Sequence, residues 1–173
     1  MPLTHRRVLA WVFAGLALLP WPGYAQPSRA ERAVILDTIR PLAAQRAGQA
    51  VRIKVERLNL DAGWALLTGE LVSPTGQALA WQQAPGCHPE LDKLLWVVLA
   101  KVKGRWRVRH LEVCATEPPH WYLPAYGGFR WPCGVFLGLQ GPEGQDLQQA
   151  CLDQAGARRG RPGAGPQRRQ TPA

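Results

Sequence analysis

Past position 25, this 173-residue chain has no apolar run able to cross a membrane. Spanning ~30 Å of hydrocarbon takes about 20 helical residues, and charges interrupt even the stretch at 94–102. No transmembrane segment is therefore expected. No cysteine precedes Cys87, which excludes a lipid-modified N-terminal cysteine. Cys-x-x-Cys and His-x-x-x-His spacings are absent, as are a serine-centred elbow, a phosphate-cradling glycine loop and a dinucleotide fingerprint, so the common hydrolase, nucleotide and zinc signatures drop out. The last stretch, 156–173, contains neither an acidic nor a large apolar residue.

What the N-terminus does have reads as an export signal. Arg6 and Arg7, with His5, form a positive region, and 8–19 is apolar but short. Pro20 and Pro22 break it, and Gly23-Tyr24-Ala25 places small residues at the −3 and −1 positions before Gln26. That order is what a signal peptidase reads. Cleavage near Ala25 and a periplasmic or secreted location are expected. General secretion is preferred to the twin-arginine route, because Ala10 stands where a second large apolar residue is usual.

The charge of +9 is unevenly placed. Two positive charges belong to residues 1–25, and five arginines (Arg158, Arg159, Arg161, Arg168 and Arg169) to 156–173. Residues 26–155 keep 14 basic against 12 acidic side chains. A nearly neutral single domain with a basic tail follows, and the length suits one core. The tail cannot bury enough surface to offset its ordering entropy, so disorder is expected there. Without zinc-finger spacing or an aromatic nucleic-acid-binding strand, no specific nucleic-acid partner is expected.

Cys87, Cys114, Cys133 and Cys151 are even in number and all follow the signal. In an oxidising compartment they should form two disulfides, and three connectivities are open. Cys87–Cys114 with Cys133–Cys151 is preferred, since it closes the Gly/Pro-rich C-terminal segment and ties a loop to a strand.

Along the domain, Ser28-Arg29-Ala30-Glu31 fits a helix capping box. Ile35, Leu36, Ile39, Leu42 and Ala43 recur at helical spacing. Pro41 predicts a kink or restart, and Gly48 the stop. Val51, Ile53 and Val55 then alternate with Arg52, Lys54 and Glu56 as a half-buried strand. Leu58 and Leu60 fall out of phase, which predicts a bulge near Glu56 and Arg57. A turn at 61–63 leads to a second strand at 64–72, and 78–81 reads as a short continuation. The almost wholly apolar 94–102 predicts a central strand covered in part on both faces, and 106–115 a fourth strand. Beyond the prolines at 118–119 periodicity is lost; 120–136 reads as an aromatic flap, and 146–154 as one short helical turn around Cys151.

A helix followed by a four-strand antiparallel meander resembles the cystatin-like/NTF2-like α+β fold group. The resemblance rests on Ile35-Leu36-Asp37-Thr38-Ile39-Arg40-Pro41, Asp61-Ala62-Gly63-Trp64-Ala65 and Gly104-Arg105-Trp106-Arg107-Val108. More closely, the layout is similar to that of small uncharacterised exported proteobacterial proteins. It covers about 28–115 and implies a helix cradled by a curved sheet, with a ligand pocket or a binding surface. It says nothing about the cysteine-bearing segment from residue 116.

Four constellations could carry chemistry. Strict alternation puts His110, Glu112 and Cys114 on one strand face, a possible nucleophilic set; a disulfide at Cys114 and the competing core face of Leu111 and Val113 weigh against it. Cys87, His88, Cys114, His120 and Cys133 offer ligand types without ligand spacing, so no metal is expected. Glu56 and Glu70 are strand carboxylates without the apolar setting that proton transfer requires. Trp121, Tyr122, Tyr126, Phe129, Arg130 and Trp131 combine flat apolar faces with polar edges, which suits a ligand- or partner-binding surface. Packing over an open sheet face is the competing role. The expectation is an exported, non-enzymatic domain that binds a small ligand or an envelope protein, without cofactor or assigned catalytic residue. The alternatives are an enzyme with a pocket between helix and sheet, and an interaction protein acting through its basic tail.

Overall fold

A computed structural model of the protein describes residues 27–88, 90, 92–115 and 129–159. Residues 1–26, read from the sequence as an export signal, and 116–128, which include His120, Trp121, Tyr122 and Tyr126, lie outside them. Helix α1 spans Arg29–Ala47. Four strands follow, β1 Arg52–Asp61, β2 Trp64–Val72, β3 Leu94–Val102 and β4 Arg105–Ala115. They form one antiparallel sheet in the order β1-β2-β3-β4. The C-terminal part contains 3₁₀ turns at Cys133–Phe136 and Pro142–Gly144 and a helix, α2, at Leu147–Arg159. The fold is α+β, as the alternation of helical and two-residue periods predicts.

Ser28 caps α1 by accepting from the Glu31 N–H at 3.1 Å. The other half of the capping box is diverted: the Glu31 carboxylate takes Lys101 Nζ at 2.9 Å, joining the helix start to the end of β3. Pro41 neither breaks nor restarts the helix. It sits on the solvent face with Asp37, so the Asp37 carbonyl that loses its amide partner faces water. The buried stripe is Ile35, Ile39, Ala43 and Ala47, each fully buried. Leu42, expected in that stripe, is 42 % exposed; a strict four-residue repeat suffices when the helix lies on a sheet rather than in a groove. Gly48 ends α1 in the left-handed region at φ 66°. A side chain there would also overlap the Gln83 carbonyl oxygen in the 3₁₀ turn at Trp81–Gln83. That turn replaces the strand continuation expected at 78–81.

The β1 bulge falls where the phase slip predicts it. Val55 pairs with Gly69, Arg57 with Thr68, and Glu56 is the extra residue. Ile53, Val55, Leu58 and Leu60 thereby all reach the core on the α1 side. The same bulge explains the glycine inside β2. A Cβ on Gly69 would overlap the Lys54 carbonyl oxygen across the ladder. Two-residue turns at Ala62-Gly63 and Lys103-Gly104 have positive φ at both positions, which matches the twist of the hairpins they close.

The central strands are covered on both faces. On one side, α1 packs its stripe on Ala65, Leu67, Leu71, Leu95, Val97 and Leu99. On the other, Leu66, Trp96 and Val98 lie under Trp131, Val135, Phe136, Leu139, Leu147 and Cys151. Residues 129–159 are therefore the sheet's second cover and not an irregular appendage. Both disulfides take the pairing preferred from the sequence, Cys87 with Cys114 and Cys133 with Cys151. Among the described residues no helix is long and apolar enough to cross a membrane. The helix around Cys151 is longer than the single turn expected and carries through Arg159. The boundary expected at residue 156 thus falls inside a helix, and 160–173 lie outside the described residues.

Candidate functional site

The second cover is fastened by polar side chains that the β1 bulge turns away from α1. Asn59 Nδ2 donates to the Val135 and Leu137 carbonyls at 3.0 and 2.8 Å. Arg57 Nη1 donates to the Leu137 carbonyl at 3.4 Å. The Gly134 N–H donates to Asp61 Oδ2 at 2.8 Å. Asp146 caps α2, accepting from the Gln149 N–H at 2.8 Å, and Cys133–Cys151 clamps the helix to the 3₁₀ turn.

Within this layer the aromatic rings are ordered around Phe136, itself 1 % exposed. Trp131 stacks on it at 5.9 Å with an 18° tilt, and Phe129 meets it edge-on at 5.1 Å. Trp64, at the start of β2, stands 6.4 Å from Trp131. Beside these rings, between the 129–133 segment and α2, lies a cleft of about 430 Å³. Its walls include Trp64, Phe129, Arg130, Trp131, Gln154 and Arg158. The volume falls among those of small-ligand sites, roughly 300–1,000 Å³. The Phe129 N–H donates to Gln154 Oε1 at 3.2 Å, which pins the segment to the helix and leaves the Gln154 amide nitrogen as a donor.

Of the aromatic candidates, the structure brings Phe129, Arg130 and Trp131 to this cleft; Trp121, Tyr122 and Tyr126 lie outside the described residues. Trp131 is 8 % exposed, so it serves mainly as covering for the sheet, while Phe129 is half-buried and Arg130 exposed. The packing role is thus seen for Trp131, while Phe129 and Arg130 leave surface at the cleft. Trp64, Gln154 and Arg158 were missed. Trp64 reads only as the first residue of a strand, and Arg158 as part of a tail. The spacing of Leu147, Cys151, Gln154 and Arg158 down one face of a helix is the signal that could have found the last two.

The nucleophilic set on β4 is taken apart by the register shift between Glu112 and Ala115. His110 pairs with Val98 and Glu112 with Trp96 across the ladder, and both line the cleft at the β4 edge that Leu42 and Arg46 of α1 share. Cys114, within that shift, packs with the α1-side core and is bonded to Cys87. His110 Nε2 lies 3.6 Å from Glu112 Oε1, and the His110 side chain is only 15 % exposed. Burial pushes its pKa below the ordinary 6.5; Glu112 acts in the opposite direction and Arg46 reinforces the depression. The native state then binds a proton less readily than the unfolded chain. Stability should be full above pH 6.5, fall as the pH drops through that value, and level off below the depressed pKa. Replacing His110 with Gln should flatten this part of a stability curve measured by denaturant melts between about pH 7 and 5. An unchanged slope would contradict the assignment.

The metal candidates also separate. Cys87, Cys114 and Cys133 are consumed in disulfides, His88 is exposed, and no group of three ligand side chains assembles among the described residues. The interface of α1 with the sheet is filled by aliphatic side chains and Trp106. The buried polar side chain among the described residues is Thr68, which pairs with Trp96 in the ladder. At the edge of that interface, Leu42 and Arg46 of α1 and Arg109, His110 and Glu112 of β4 line a cleft of about 320 Å³, which is where the enzyme alternative would have to place its pocket. Glu56 and Glu70 do share a wider cleft of about 720 Å³ with Lys54, Trp81, Asp92 and Lys93. Both carboxylates are solvent-exposed, and Glu70 is paired with Lys54 at 3.0 Å. Comparison with protein-family models, with curated proteins and with solved structures finds no match.

Proposed function

We propose that this protein is an exported, non-enzymatic binding domain of the bacterial cell envelope, with its ligand seat in the cleft between the 129–133 segment and α2. The observation that carries the reading is the cleft itself. Its walls combine aromatic faces with donor side chains, and a disulfide and a cross-strand hydrogen-bond set brace the segment that supplies them. A rigid, pre-formed seat of this kind lowers the ordering cost of binding. Export is supported by the signal-like order of residues 1–25 and by two disulfides, which form and persist in oxidising compartments. The helix followed by a four-strand meander supports the resemblance to the cystatin-like/NTF2-like group. The cleft belongs to the segment beyond that resemblance.

Mass spectrometry of small molecules released from the protein purified out of a periplasmic fraction tests this reading. A compound retained by the native protein and lost from a cooperatively melting Trp64→Ala variant is the expected result. Equal retention by the two, or nothing retained by either, would overturn the placement of the seat. Finding the chain in the cytoplasm with residues 1–25 intact would overturn export.

A further inference from the structure

We infer that the cleft takes a compact anion carried on a flat ring, such as an aromatic or a sugar carboxylate. The inference rests on the reading of the cleft as the ligand seat and adds its chemistry. Among the described residues, the hydrogen-bonding side chains of the cleft wall are Trp64, Arg130, Trp131, Gln154 and Arg158, and no carboxylate is among them. Every one offers a donor. Gln154 has committed its carbonyl oxygen to the Phe129 N–H, so donation is what remains to it. The Trp64 indole N–H and the Arg130 and Arg158 guanidinium groups make no hydrogen bond or ion pair among the described residues.

The carboxylates beside Gln154 in sequence and opposite Trp64 in the ladder hydrogen-bond groups other than the cleft donors. Asp153 accepts from Gln149 Nε2 at 2.9 Å, and Asp61 accepts from the Gly134 N–H at 2.8 Å. A helix C-terminus favours cations by itself, and that accounts for Arg158 and for Arg159, whose Nε returns to the Ala155 carbonyl at 3.5 Å. It does not account for Arg130, which lies before the Cys133–Phe136 turn and at no helix C-terminus. Two arginines from separate elements line the same cleft, and guanidinium is the donor group that suits a carboxylate or similar oxyanion. Trp64 supplies a half-buried aromatic surface for an attached ring.

The test uses the full oxidised protein and follows the Trp64 indole N–H resonance, assigned through Trp64→Phe. The probes are 2-naphthoate with its neutral counterpart 2-naphthamide, glucuronate with glucose, and inorganic phosphate alone. At least one carboxylate is expected to shift the resonance with roughly tenfold higher affinity than its neutral counterpart. That preference should fall by about tenfold on Arg130→Gln or Arg158→Gln, reverse on Arg158→Glu, and recover in part on Arg158→Lys. Both arginines are exposed, so these variants should melt as the native protein does. The pair that shows the preference separates an aromatic source from a sugar source. Neutral probes binding as tightly as the carboxylates, with the arginine variants unaffected, would overturn the anion and leave the seat standing. Phosphate binding as tightly as either carboxylate would overturn the ring. No shift with any probe would overturn the inference as a whole, while the retained-compound experiment would still decide the seat.

Discussion

Replacing Phe136 with alanine is expected to cost the fold about 3–5 kcal/mol, near the upper end for single core truncations. The ring is 1 % exposed and is the common neighbour of Trp131 and Phe129. It lies in the layer that covers Leu66, Trp96 and Val98. Two effects should add: lost burial of a large apolar side chain, and a cavity the surrounding rings cannot fill without leaving their stacked arrangement. Denaturant titration followed by tryptophan fluorescence measures the first. The cleft should register the second, because Trp131 and Phe129 line it. A loss below ~1 kcal/mol would mean that the C-terminal layer relaxes freely onto the sheet and does not pack as one core with it.

Removing the Cys133–Cys151 bridge, by Cys133→Ala with Cys151→Ala, should cost about 3 kcal/mol through loop-closure entropy alone, given a separation of 18 residues. The other bridge, Cys87–Cys114, spans 27 residues, so its removal should cost a similar amount on the same argument. Their functional consequences should differ. The first bridge holds α2 against the turn that carries the cleft, and both of its cysteines are in the wall. The second fastens the 84–88 loop to β4, on the α1 side of the sheet. Ligand retention should therefore be lost in the first double variant and kept in the second, at temperatures where both remain folded. Native stability in the Cys133/Cys151 variant would show that packing and the β1 anchors hold the layer without the bridge.

Most of the sheet was legible because each strand writes its own periodicity. The bulge near Glu56 could be read from Leu58 and Leu60 falling out of phase, and β3 could be placed centrally from its almost wholly apolar run. The helix stripe was readable except at Leu42, where a helical period alone cannot say how wide the buried face is. The β4 constellation failed because alternation was carried through a register shift after Glu112 that leaves no mark in the local sequence. The C-terminal layer was the least legible part. Its 3₁₀ turns have no period to detect, and its anchors, Asn59 and Asp61, look like ordinary solvated strand positions until their partners arrive from more than 70 residues away.

By itself, then, the sequence determined the element order, the turns, the β1 bulge and an even set of cysteines suited to two bridges. These follow from local steric and burial preferences that act within a few residues. Only the tertiary structure decided that residues 129–159 form a second cover, that Trp64 and Arg158 meet Arg130 at one cleft, and that Cys114 parts company with His110 and Glu112. Such meetings depend on contacts between segments far apart in the chain, and no local periodicity encodes them.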